Sequence, residues 1–170
     1  MPPSTAQPAK TAPPAGQILA IDYGRARIGL AIADAQHGLA QPLATLERIN
    51  RNEDMRRLRE LVREHSVKFV VVGLPLLLDG TRGEMAEEAE RFAQRVRKQI
   101  GVPVEMVDER LSSWEAERQL EEQFGRSSKV SDSASKKKPS EKFSVDSMAA
   151  AIILREYLER RAATAEGAGE

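Results

Sequence analysis

The chain has no cysteine and only two histidines, His37 and His65, among its 170 residues. Disulfides, thiolate zinc sites and cysteine nucleophiles are therefore excluded, and a histidine-rich metal centre lacks ligands. Any metal must be held by oxygen, a donor set that suits Mg²⁺ or Mn²⁺. Net charge is missing too, because 26 basic and 26 acidic side chains cancel. A strongly basic total is the usual footprint of nucleic-acid binding; a balanced one leaves that work to local patches. No apolar run is long enough to span a bilayer. The Pro- and Ala-rich opening MPPSTAQPAKTAPPAG lacks the apolar stretch of a signal peptide, so no membrane partner is expected and the expected compartment is the cytoplasm. What is present, 41% hydrophobic and 31% charged residues, fits one globular domain with a real core.

Residues 1–15 hold five of the nine prolines and read as a disordered tail. A single domain is expected over 16–161, with a Ser- and Lys-rich mobile loop at 125–143 and a second tail at 162–170. Two apolar, β-prone runs, 16–23 and 27–34, flank the short turn GRA and predict a hairpin. A third strand is expected within Leu39–Leu46. Asn50 and Glu53 have capping-box spacing, and Met55, Leu58, Leu61 and Val62 then mark a helix over 51–65. VKFVVVGLP is a continuous apolar run of the kind buried on both faces of a parallel sheet. Thr81 and Glu84 form a second capping box before a helix reaching residue 100. A strand over 102–107, a helix from Ser112 to Phe124 and a last helix from Val145 to Arg161 complete the pattern. Three antiparallel strands followed by α-β-α-β-α-α give an α/β fold, one mixed five-stranded sheet with helices on both faces.

Asp22 interrupts the first apolar run, QILAIDYGRARIGLAIAD. A carboxylate placed among such neighbours must be paired, protonated or bound to a metal. Glu109 follows the apolar stretch VPVEMVD, and Asp146 opens the apolar helix VDSMAAAIIL. In a sheet of this kind, sites collect beyond the carboxyl ends of the parallel strands, where Asp22 and Glu109 fall if the first strand is central. Three acids there point to a site for divalent ions, two of which can clamp the attacking and leaving oxygens of a phosphodiester. Each acid also has a plainer reading. Asp146 at the second position of a helix is favourable through the dipole alone, and Glu109 lies in a polar DER turn. Asp22 is the hardest to explain otherwise.

Four stretches, AIDYGRARIGLAIAD (20–34), VVGLPLLLDGT (71–81), VDERLSSWEAE (107–117) and VDSMAAAIIL (145–154), resemble the YqgF family over roughly residues 16–161. That family comprises Holliday-junction-resolvase-like proteins that are also described as nucleases of the 16S ribosomal RNA precursor. The resemblance implies a ribonuclease-H-like three-layer fold, with Asp22, Glu109 and Asp146 as catalytic acids and ligands of Mg²⁺ or Mn²⁺, two ions being expected. It further implies phosphodiester hydrolysis at the 5′ end of pre-16S rRNA, within the RNA or a pre-ribosomal particle; a monomer or weak homodimer is expected. Two departures stand out: Ser112 and Ser113 replace the family's usual threonines after DER, and the segment before Asp146 is stretched and Ser-rich.

Candidate phosphate contacts are Gly24, Arg25, Arg27, Thr81, Arg110, Lys137 and Lys138. Glycine permits close backbone approach and arginine grips phosphate bidentately. Arg25 is equally well read as a solvated hairpin arginine, whereas Arg27 matches the family's basic position. Thr81 leads into a helix N-terminus, which can bind anions or simply be capped. Arg110 reaches either a phosphate or a nearby acid. Lys136, Lys137 and Lys138 sit in the loop, where charge runs are usually solvated. Trp114 is read as packing, and neither histidine is assigned.

The leading function is a metal-dependent ribonuclease. The same chemistry on a four-way DNA junction is the first alternative, and a non-catalytic RNA-binding module is another. An ATP-dependent kinase or chaperone-like ATPase shares the Asp-Gly opening but needs two such domains to enclose its nucleotide.

Overall fold

In β1 (Gln17–Tyr23), Ile18 to Ile21 are all buried, so both faces of the strand are covered and it takes the middle of the sheet. The computed structural model describes residues 15–75, 79–108 and 144–167. β2 (Arg27–Asp34) folds back antiparallel to β1, and β3 (Gln41–Glu47) pairs antiparallel to β2. β3 is an edge strand, which is why it tolerates Pro42, a residue with no N–H for a further ladder. α1 (Arg51–Glu64) then returns the chain to β4 (Val67–Leu74), which lies parallel to β1 on its other side. α2 (Glu84–Ile100) leads to β5 (Val104–Asp108), parallel to β4, and α3 (Val145–Gly167) closes the described chain. The order β3-β2-β1-β4-β5 is the mixed five-stranded sheet expected from the sequence.

Period-two alternation sends β1 to two different cores. Ile18 and Ala20, with Ala31 and Ala33 of β2 and Phe69 and Val71 of β4, pack under α3. Leu19 and Ile21, with Ile28, Leu30, Val70 and Val72, pack under Met55 and Leu58 of α1 and Phe92 and Val96 of α2. The layers are therefore α3, sheet, and α1 with α2. The apolar stretch Ala150 to Leu154 of α3 is buried as its composition predicts, whereas Val145 at the start of the helix is exposed.

The helix ends differ in part from expectation. Asn50 does cap α1, its side-chain oxygen accepting the Glu53 N–H at 2.9 Å. Glu53 does not reciprocate; its carboxylate binds Arg56 instead. The expected capping box at Thr81 is not formed. α2 begins only after Gly83, because Asp79 takes both the backbone N–H and the hydroxyl of Thr81, at 2.9 and 2.7 Å, into a local turn. α3 continues to Gly167, through most of the stretch expected as a tail. AATAE contains strong helix formers and no breaker before that glycine. The expected tail at 1–15 except its last residue, the helix from Ser112 to Phe124 and the loop at 125–143 lie outside the described residues.

Candidate functional site

The carboxyl ends of β1, β4 and β5 meet one edge of the sheet. Ile21 is in register with Val72, Gly73 with Val107, and Leu74 with Asp108. Asp22 therefore stands at this edge, half-buried and one residue past the apolar core of β1. It follows Ile18 and Ala20 in the alternation, which puts it on the α3 side of the sheet.

Gly29 connects Asp22 to the last helix. It is the antiparallel partner of Asp22 and, on its other side, of Thr45. A Cβ added at Gly29 would lie 2.0 Å from the backbone oxygen of Asp146 and 3.0 Å from its Cβ. No other residue type leaves room for the N-terminus of α3 to rest on β2. Ser144 fixes that N-terminus. Its hydroxyl accepts the Ser147 N–H at 3.2 Å, the bond expected of an N-cap, and also contacts the Thr45 hydroxyl. Asp146 is thus the second residue of α3, as the sequence predicts, but it does not cap the helix. Its carboxylate instead meets Arg27, whose Nε donates to Oδ2 at 3.1 Å. Asp22 and Asp146, 124 positions apart in number (146 − 22), both adjoin Gly29 at one edge of one face.

The donor chemistry at this edge fits a hard divalent ion. Two carboxylates share a face, and a cationic group already lies against one of them. Among the described residues no group of three His, Asp or Glu side chains converges, and the expected third acid, Glu109, lies outside them, directly after β5. Asp22 and Asp146 are the described residues at this edge that could hold such an ion.

The candidate phosphate contacts separate. Arg27 is exposed beside Asp146. Arg25 points to the opposite side, toward α2. Its Nη2 bonds Glu88 at 2.9 Å and Glu84 at 3.5 Å, and the Glu88 bond holds the guanidinium pKa above, and the Glu88 pKa below, the ordinary values. Gly24 serves the turn between β1 and β2, where a Cβ would lie 2.5 Å from the Arg27 carbonyl oxygen. Thr81 is held by Asp79 as described. Arg110, Lys137 and Lys138 lie outside the described residues.

Sequence reasoning missed the support beneath this turn. Asp54, 2% exposed, pairs with Arg48 Nε at 3.1 Å and accepts the Ile49 N–H at 3.1 Å. Arg48 Nη1 donates to the Tyr23 hydroxyl at 2.8 Å and to the Gly24 carbonyl at 3.4 Å, and its guanidinium lies 5.0 Å from the Tyr23 ring centre. Burial opposes the Arg48 charge, but the bonds to Asp54 and Tyr23 outweigh it and raise its pKa. The chain just after Asp22 is thereby tied to α1 on the side away from α3. An acid at the fourth position of α1, six residues after an arginine, was the only available signal.

This arrangement defines a class: a ribonuclease-H-like α/β domain with acids gathered at the sheet edge. The fold is shared with RuvC of Thermus thermophilus, solved in complex with a Holliday junction substrate, at a TM-score of 0.53 and 16% identity over 88% of this chain and 97% of that one. The chain belongs to the RuvX family, described as Holliday junction resolvase, whose model matches residues 16–160. It is similar to curated bacterial proteins that bear the provisional name pre-16S rRNA nuclease. The protein of Anaeromyxobacter sp. (strain K) is 43% identical over 85% of this chain and 97% of its own length. Those of Koribacter versatilis and Chloroflexus aurantiacus are each 40% identical, over 86% and 85% of this chain and 88% and 87% of their own lengths. The chain is a nuclease-family hydrolase of nucleic-acid phosphodiesters. Among the described residues no helix is long and apolar enough to cross a membrane.

Proposed function

We propose that this chain is a metal-dependent nuclease that trims the 5′ end of the 16S ribosomal RNA precursor, acting in the cytoplasm as a monomer or weak homodimer. The observation that carries the reading is the seating of Asp146 on Gly29, beside Asp22. Asp22, Asp146 and Glu109 are assigned as ligands of two Mg²⁺ or Mn²⁺ ions. Bound there, such ions supply Lewis acidity and a water of lowered pKa.

The protein's own part is placement. β1 and the Arg48 network fix Asp22, while Gly29 and the Ser144 cap fix Asp146. Arg27 offsets the Asp146 charge and offers the rest of its planar fork to a phosphate oxygen of the substrate. Arg110, Lys137 and Lys138 are assigned to flanking phosphates; Arg25 is committed to Glu88 and contributes to the turn. The chain needs no protein nucleophile, in keeping with its lack of cysteine and scarcity of histidine.

The test is cleavage of precursor RNA and of a four-way DNA junction side by side, with Mg²⁺ and Mn²⁺ titrated. Asp22→Asn, Glu109→Gln and Asp146→Asn should each lower cleavage by at least about a thousandfold. Full cleavage by Asp22→Asn protein would overturn the assignment. The family description favours one second reading, a junction resolvase. It requires paired symmetric cuts and hence a dimer, so preference for the junction over RNA, with dimer formation, would replace the first reading. Nucleic-acid binding with no cleavage under any metal would leave a binding module.

A further inference from the structure

On the far side of the catalytic edge, the α1/α2 layer carries arginines that the fold does not use. β3 ends at this edge, since Arg27 pairs with Glu47, so α1 starts there with Arg51 as its first residue. α2 also starts from this edge, after β4, and Arg91 and Arg95 stand four residues apart on one side of it. Phe92, between them, packs against Tyr23 with ring centres 5.0 Å apart, and Arg48 lies 5.0 Å over the same Tyr23 ring. Tyr23 is the last residue of β1 and directly follows Asp22, so these groups border the site.

Three acids of this layer are engaged elsewhere. Asp54 is bonded to Arg48, and Glu84 and Glu88 to Arg25, with Glu88 also accepting from Tyr23. None of the ion pairs among the described residues uses Arg51, Arg91 or Arg95. Arg51 and Arg91 are exposed and Arg95 is half-buried. Partial burial and the neighbouring charges of Arg51, Arg48 and Arg91 pull the Arg95 pKa below the ordinary arginine value. The Glu88 charge reaches Arg91 as well as Arg25, but Arg51, Arg48 and Arg91 all act on Arg95 as like charges, and such a group is relieved when an anion joins it. In a chain with zero net charge this clustering is local.

We propose that Arg51, Arg91 and Arg95 form a second nucleic-acid site, which grips the substrate's phosphate backbone beside the catalytic edge, on the opposite side of the sheet from Asp146. It rests on the nuclease reading and adds a place for the strand after it crosses the edge. Arginine forks fit phosphate oxygens, and backbone phosphates repeat along the strand, so several can be engaged at once. The site is sequence-independent and salt-sensitive.

The experiment uses the full chain carrying Asp22→Asn, with a labelled RNA hairpin bearing a single-stranded 5′ extension and a four-way DNA junction as probes. Adding Arg51→Gln, Arg91→Gln and Arg95→Gln together should weaken binding about tenfold to a hundredfold and reduce the salt slope of log K by about two to three. In the Asp22 enzyme the same three changes should raise KM and leave kcat unchanged. The melting temperature should hold or rise, since no ion pair is lost. Unchanged affinity and salt slope, with the parent still binding, would overturn the second site alone. A parent that binds neither probe would remove the nuclease reading and this site together. A drop in melting temperature would assign the arginines to the fold; Arg51→Gln alone, at the exposed start of α1, then decides, because unchanged RNA binding by that variant would overturn the proposal.

Discussion

The two faces of the sheet are built from different residues. Toward α3 the central hairpin presents Ile18 at its far end and then only Ala20, Gly29, Ala31 and Ala33, together with Asp22. Toward α1 and α2 it presents Leu19, Ile21, Ile28 and Leu30. Small side chains let α3 lie close, and the contact at Gly29 is close enough that the helix's first turn delivers a carboxylate to the strand end. Large side chains on the other face fill a conventional core and hold the strand still. The small-residue face is shaped for the position of one carboxylate, and the large-residue face supplies stability to keep it there.

Substitutions can break or sharpen that contrast. The largest stability loss should come from the face without the acids. Leu58→Ala, fully buried in α1, should cost about 2–5 kcal/mol in urea unfolding. Cleavage per folded molecule should be unchanged; a matching loss of turnover at saturating Mg²⁺ would show the faces are not separable. Gly29→Ala should do the reverse. Its added methyl meets the Asp146 backbone, so stability should fall by about 1–3 kcal/mol while cleavage falls much further, on the order of a hundredfold. Cleavage that merely tracks the folded fraction would refute the role given to this glycine. The smallest effect should appear at the far end of the hairpin. The Gln36 N–H, at 2.8 Å, and then His37 hold the Asp34 carboxyl below the ordinary 3.8. A depressed carboxyl contributes stability that is present above its unfolded pKa and lost as pH falls through its folded value. Wild type should therefore lose slightly more melting temperature than Asp34→Ala on acidification below the ordinary aspartate range. Parallel curves would show the contact contributes nothing.

Much of the fold was legible because its signals are local. The apolar run VKFVVVGL and the periodic helix faces each depend on residues within one segment, and the hairpin on its GRA turn. The ends of α2 and α3 were less legible because they depend on which neighbour wins a bond. Asp79 captures Thr81 before it can cap, and an alanine-rich stretch with no required fold continues its helix. Of the site, Asp22 could be read from its polarity and Asp146 from its place before an apolar helix. Their meeting could not be read from the residues, because Arg27 and Asp146 lie 119 positions apart and Gly29 looks like any strand glycine. The Arg48–Asp54 pair was also hidden, since both residues look like ordinary surface charges at the start of a helix. Ser144 could have been found, since a serine three residues before another, ahead of an apolar run, is a helix-start pattern.

We propose above all that Asp22 and Asp146, brought together across Gly29, form one cation site. Calorimetric titration of Mn²⁺ into the wild type, Asp22→Asn, Asp146→Asn and the double variant tests it without reference to any substrate. Each single change should weaken binding by about tenfold or more, and the double variant should fall short of the product of the two losses. Wild-type Mn²⁺ affinity in either folded single variant would contradict it.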